Sequence, residues 1–117
     1  AAGLPLLAEE NIEEYFPVTR CSPPTDEMFY LRVSGDSMVD AAILEGDLVL
    51  VRQQPFVEQG EIAVVRIGDE ATVKRFFKFT DRIELRPENT KSRPIVCGSG
   101  DDVRVIGKVT GVFRSLE

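Results

Sequence analysis

The run Glu61-Ile62-Ala63-Val64-Val65-Arg66-Ile67-Gly68-Asp69-Glu70-Ala71-Thr72-Val73-Lys74-Arg75-Phe76-Phe77-Lys78 decides the fold class. Two segments rich in β-branched and aromatic residues flank a Gly-Asp pair, the signature of a β-hairpin. Alternation in the second segment puts Thr72, Lys74 and Phe76 on one face and Val73, Arg75 and Phe77 on the other. One face therefore carries a cation among apolar groups. An ordinary strand lysine lays its stem over apolar surface and keeps its charged head in water. A lysine desolvated by neighbours such as Phe76 instead favours the neutral amine, which can take a proton from a hydroxyl.

Shorter strand signals extend outward from this hairpin. Upstream, Met28-Phe29-Tyr30-Leu31-Arg32-Val33 alternates, with Phe29, Leu31 and Val33 on one face, and stops at the turn signal Ser34-Gly35. Glu14-Tyr15-Phe16-Pro17-Val18 reads as a short strand, and Pro17 assigns it to a sheet edge. Residues 39–44 fit one helical turn, and Glu45-Gly46-Asp47 a tight turn. Leu48-Val49-Leu50-Val51-Arg52 is apolar on both faces, as a central, covered strand would be. Downstream, Arg82-Ile83-Glu84-Leu85-Arg86 and Ile95-Val96-Cys97 are further short strands. Residues 103–114 form one more, with Gly107 and Gly111 marking bends or bulges. The chain is thus expected to be a single all-β domain. Its short, twisted, mostly antiparallel strands would form a partly closed, barrel-like core.

Composition narrows the function. Of 117 residues, 43% are hydrophobic, enough for one core, yet no run approaches the length of a membrane span. The net charge of -6 repels phosphate backbones, which argues against duplex DNA binding by this stretch itself. The start, Ala1-Ala2-Gly3-Leu4-Pro5, carries neither an initiator methionine nor the basic region of a signal peptide. The expectation is a processed product or an excised part of something longer. Cys21 and Cys97 fit no metal-ligand spacing and are read as reduced thiols, with a single disulfide the alternative. No metal or cofactor is expected. The sequence contains no histidine, which excludes a Ser-His-Asp triad and a His-ligated zinc site.

Ser37 follows the turn that ends the Met28–Val33 run, with Met38 and Val39 behind it. A serine just past a strand-ending glycine can have its hydroxyl held out by a rigid scaffold, and main-chain N–H groups in such a turn can converge on one point. Acyl-transfer catalysis needs both a presented nucleophile and an oxyanion hole. A turn serine that caps the next segment explains the same residue without chemistry. Without histidine, a base for Ser37 must be another group, and lysine is the known substitute.

Taken together, Val33-Ser34-Gly35-Asp36-Ser37-Met38, Gly46-Asp47, Glu70-Ala71-Thr72-Val73-Lys74-Arg75 and Pro87-Glu88-Asn89 resemble the C-terminal domain of LexA-type repressors in motif, order and spacing. The opening Ala1-Ala2-Gly3-Leu4-Pro5-Leu6-Leu7-Ala8 resembles that family's cleavage segment. The resemblance covers essentially the whole chain. It implies a self-cleaving Ser-Lys peptidase with Ser37 as nucleophile, Lys74 as general base and Ala2-Gly3 as the scissile pair. The main-chain N–H groups of Asp36 and Ser37 would form the oxyanion hole. Residues 1–8 would be the cleavage segment and residues 9–117 the protease and dimerisation domain, the N-terminal DNA-binding domain lying elsewhere. The family also implies a cytoplasmic homodimer joined through residues 103–114 and cut in the SOS response to DNA damage. Cleavage would be promoted by RecA filaments on single-stranded DNA. Operator DNA would be met only through the missing domain, and no membrane is involved.

Two other readings share part of this pattern. UmuD-type polymerase accessory proteins resemble it in dyad and fold, but their scissile pair is usually Cys-Gly, so Ala2-Gly3 favours the repressor. A non-catalytic dimerisation domain would use Ser37 and Lys74 only structurally. Signal peptidases share the chemistry but need a membrane anchor.

Overall fold

Strand β5 (Glu70–Lys78) is the most deeply covered segment of the hairpin, with residues 71–74 all buried. β4 (Ile62–Ile67) pairs with it antiparallel from Ile62↔Arg75 to Ile67↔Glu70, so Gly68-Asp69 makes the expected two-residue turn. The computed structural model describes residues 27–116 and, as main chain only, residues 12–17. The lead-in with Ala2 and Gly3 lies outside the described residues, as does Cys21.

The remaining strands are β1 (Ile12–Pro17), β2 (Met28–Val33), β3 (Leu48–Gln53), β6 (Ile83–Arg86), β7 (Ile95–Cys97) and β8 (Val103–Phe113). They form one eight-stranded sheet in the order β1-β2-β3-β8-β4-β5-β6-β7, with every pairing antiparallel. The expected all-β, antiparallel domain is what the structure shows. The sheet stays open: β1 and β7 are its outer strands and do not pair with each other among the described residues. Pro17 lies in β1, an outer strand of the sheet, as expected of a proline within a strand. The expected helical turn is a single 3₁₀ turn, Val39–Ala41.

Both faces of β4 and β5 carry a core. Val64 and Val73, opposite each other, join Phe29, Leu31, Val33, Met38, Val49 and Val51 in one buried cluster. Ala63 and Val65, on the other face, join Phe76 and Leu85 in a second. Alternation puts one row of a strand in each cluster, which is why the apolar pattern of β4 is nearly continuous. β3 is central as expected, between β2 and β8, but only one of its faces is closed. Val49 and Val51 are buried, whereas Leu48 and Leu50 are half-buried.

β8 runs through the middle of the sheet, between β3 and β4. Its register slips at Thr110 against β3 and at Ile106 against β4, one residue before Gly111 and Gly107 respectively. The bulges therefore fall where the two glycines announced them. Gly107 has its own reason to be glycine, since a Cβ there would run into the Arg52 carbonyl oxygen and a Val51 methyl. The close approach of β8 to β3 excludes any larger residue.

Candidate active site

The end of β2 is bonded to the start of β3 across the turn that carries Ser37. Val33 N–H donates to the Asp47 carbonyl (2.9 Å) and Gly46 N–H to the Val33 carbonyl (2.7 Å). Gly35 turns the chain out of β2 at φ 94°, a conformation that side chains with a Cβ rarely adopt. Residues 36–43 follow as a compact loop folded on itself: Val39 N–H donates to the Asp36 carbonyl (3.2 Å), and Ala41 and Ile43 N–H groups to the Met38 carbonyl (3.0 and 3.3 Å). Met38, 1% exposed, anchors this loop in the first core cluster. Ser37, beside it, is buried at 8% exposure.

Lys74 is the largest fully buried side chain among the described residues, 1% exposed. The expected alternation of β5 is observed: Thr72, Lys74 and Phe76 are all buried along one face. Opposite Lys74 on β4 stands Ala63, whose small side chain leaves volume for the four-carbon stem. Lys74 Nζ donates to Thr72 Oγ1 at 2.6 Å. The solvent-facing alternative for this lysine is thus the one the structure discards.

The Ser37 loop and the Lys74 strand meet through both neighbours of Lys74. Val73 shares the first core cluster with Met38. Arg75 Nε donates to Glu88 Oε2 (2.7 Å), and Glu88 N–H donates to the Ser37 carbonyl (2.8 Å). Asp40 N–H completes the link by donating to the Glu88 carbonyl (2.7 Å). Asn89 adds a side-chain bond, Nδ2 to the Asp36 carbonyl at 2.8 Å. Of the residues expected to act, Ser37 and Lys74 are buried on adjoining elements, and Asp36 lies in the same turn with its side chain exposed. Ala2 and Gly3 lie outside the described residues.

A second polar anchor holds the far side of the loop. Asp47, 1% exposed, receives Arg114 in a two-pronged ion pair, Nε to Oδ1 and Nη2 to Oδ2, both 2.6 Å. Leu44 N–H donates to Asp47 Oδ2 (2.7 Å), and Arg114 Nη2 also reaches the Ala42 carbonyl (3.1 Å). The Arg114 bond is the chief reason the Asp47 carboxyl titrates below its ordinary range. Cys97 is a free, buried thiol whose pKa is pushed up, first by burial and then by Asp101. Sequence reasoning placed Asp47 in a turn and Pro87-Glu88-Asn89 at a strand end, without assigning either a partner. An acid directly after a turn glycine and before an apolar strand was the available signal for Asp47; nothing local announces that Arg114 meets it.

Residues 1–110 match the Peptidase S24-like family. The chain is 52% identical to the LexA repressor of Geotalea uraniireducens over 117 residues, 99% of this chain and 58% of that protein. It is 52% identical to the LexA repressor of Desulfitobacterium hafniense strain DCB-2 over 115 residues (98% and 55%). Against that of Halalkalibacterium halodurans it is 48% identical over 116 residues (98% and 55%). The chain spans somewhat more than half the length of these curated relatives.

The Asp47–Arg114 pair makes a pH-dependent contribution to stability. A carboxyl whose folded-state pKa is depressed stabilises the fold above its unfolded-state value, about 3.9, and loses that contribution as pH falls through the folded value. Arg114 is 43% exposed, so solvent screens part of the attraction. Arg114→Met is expected to lower the unfolding free energy at pH 7. Urea titrations should show the gap from wild type narrowing below about pH 4. A gap independent of pH would mean that Arg114 acts through packing alone.

Proposed function

The chain belongs to the Peptidase S24-like family, and from that premise we propose that it is the self-cleaving and dimerising part of an SOS-response repressor of the LexA type. The observation that carries this reading is the fully buried Lys74, hydrogen-bonded to Thr72, on a strand joined through both its neighbours to the turn of buried Ser37. Burial removes the ammonium from bulk water and so favours the neutral amine, the form that can act as a base. The bond to Thr72 occupies one N–H and thereby limits where the nitrogen lone pair can point.

In the proposed reaction, neutral Lys74 takes the Ser37 proton while Ser37 Oγ attacks the carbonyl carbon of Ala2. The N–H groups of Asp36 and Ser37 stabilise the oxyanion of the tetrahedral intermediate. Protonated Lys74 then gives its proton to the departing amine of Gly3, and the Ala2–Gly3 bond breaks. Water, deprotonated by the regenerated amine, hydrolyses the ester on Ser37. A scissile pair of small residues suits this step, because the carbonyl carbon must come within about 3–3.5 Å of the serine oxygen. Cleavage separates the domain from the DNA-binding part of the repressor and relieves repression of repair genes. RecA filaments on single-stranded DNA act in the cytoplasm by favouring entry of the cleavage segment.

Dimerisation is supported by apolar side chains left exposed at the end of β8 and beyond it. Val112 is 44%, Phe113 54% and Leu116 93% exposed. A patch of this kind gathers at contact surfaces between subunits.

Two experiments test the reading. In a chain carrying its natural residues upstream of Ala1, cutting between Ala2 and Gly3, followed by mass spectrometry, is expected to accelerate as pH rises and then level off. Lys74→Ala and Ser37→Ala should each slow it by at least about 10²–10⁴-fold at every pH, since the two act as a unit. Lys74→Arg should behave like Lys74→Ala, because a guanidinium does not lose its proton in this range. RecA filaments should speed the wild type near neutral pH and rescue none of these variants. A rate indifferent to pH, or a Lys74→Ala chain that still cuts at this bond, would assign the reaction to another base. For assembly, sedimentation should give a dimer that Phe113→Glu converts to monomer; a wild type monomeric at high micromolar concentration would contradict the dimer.

A further inference from the structure

We propose that Asn89 is a positioning residue for the Ser37 reaction, acting through the peptide plane between Asp36 and Ser37. The inference rests on the reading of Ser37 as nucleophile and extends it to a side chain that touches no reacting atom. In a trans peptide the carbonyl and the following N–H point in opposite directions. Asn89 Nδ2 holds the Asp36 carbonyl at 2.8 Å, so it directs the Ser37 N–H to the side of the turn away from Asn89. The next peptide plane is held in the same way, with Glu88 N–H on the Ser37 carbonyl at 2.8 Å. Successive peptide planes are related only by φ and ψ of the residue between them. Pinning both planes to residues 88 and 89 therefore fixes the backbone angles of Ser37, and with them the origin of its side chain.

The two straps differ in how they are encoded. Glu88 works through its main chain, which almost any residue could supply. Asn89 works through its carboxamide, which only the sequence at that position can supply. The carboxamide is itself fixed, because Asn89 Oδ1 accepts from Lys91 N–H (2.9 Å) and the Asn89 carbonyl accepts from Ser92 N–H (3.0 Å). A reversed amide would set N–H against N–H at Lys91 and oxygen against oxygen at Asp36, so the donor assignment is chemically determined. The turn's own bond to the Asp36 carbonyl, from Val39 N–H, is longer at 3.2 Å. The tertiary bond is the shorter of the two restraints on this plane.

Asn89→Asp separates the two jobs of the side chain. Aspartate keeps the oxygen that accepts from Lys91 but replaces the donor to Asp36 with a second, charged oxygen. Asn89→Ala removes both. The readouts are the rate at which a fluorophosphonate, which forms a tetrahedral adduct on serine, labels Ser37, and the rate of Ala2–Gly3 cleavage. Each rate is measured across pH, with thermal unfolding of every variant alongside. Both variants are expected to slow labelling and cleavage roughly 10–100-fold, as misplacement of an oxyanion donor or nucleophile does. The midpoint of the pH–rate profile should stay at the wild-type value, because Lys74 is untouched, and the unfolding midpoint should change little. An Asn89→Asp chain that reacts like wild type would overturn the inference, as would a shifted pH midpoint or a slowing that appears only with a collapsed unfolding midpoint. Those outcomes leave the nucleophile assignment standing. Label that persists in Ser37→Ala, or is absent from the wild type, would overturn that assignment and this inference with it.

Discussion

Lys74 holds its amine 1% exposed in the middle of a β-strand, where a charged nitrogen costs on the order of several kcal/mol unless a partner or a lost proton compensates. That constraint explains much of the surrounding architecture. A strand buried on one face only would let the lysine swing its head to water. β5 avoids this because a core lies on each side of it, with Val73 in one cluster and Phe76 in the other, while β4 runs beside Lys74 and β6 pairs from Arg75 onward. Ala63 across the ladder gives the stem room, and the Thr72 hydroxyl gives the nitrogen a fixed acceptor.

The Ser37 turn is held by different forces. Apolar anchoring there comes from Met38 and Ile43 with the half-buried Ala41, and polar bonds long in sequence separation add to it. Residues 88 and 89 grip one side through the Asp36 and Ser37 carbonyls, while Asp47 and Arg114 grip the other through Leu44 and Ala42. Hydrogen bonds are directional where apolar packing is not, so such a turn keeps one orientation at little cost in buried area. The Arg114 contact also ties the loop to the chain just beyond β8, next to the exposed Val112 and Phe113. Any partner seated on that apolar end therefore lies one ion pair from the turn.

Much of this was legible in the sequence because the determinants are local. Period-two alternation in residues 28–33 and 70–78, the Gly-Asp turn and the glycines of β8 each encode their element within a few residues, and the structure follows them. Burial of Lys74 was legible as one of two readings, a lysine with its head in water or a desolvated one. The sequence could not settle that choice, since it depends on what covers β5 from β4 and β6. The covered face of β3 was over-read for a related reason. An all-apolar strand looks the same whether its second face is closed or only half-shielded, as at Leu48 and Leu50. The polar straps were not legible at all: Asn89 bonds to a carbonyl 53 positions away and Arg114 to a carboxylate 67 positions away. No periodicity encodes such a pairing.

The proposed role of Lys74 as a base rests on its burial, which favours the neutral amine. Its direct measurement is an NMR titration of the Lys74 side-chain carbon next to the amine, assigned by comparison with Lys74→Arg. The titration is run in a Ser37→Ala background, which removes the proposed nucleophile. A midpoint clearly below the roughly 10.4 of a solvated lysine is expected, set apart from the exposed lysines of the same chain. A Lys74 resonance that titrates together with those exposed lysines would overturn the proposed role.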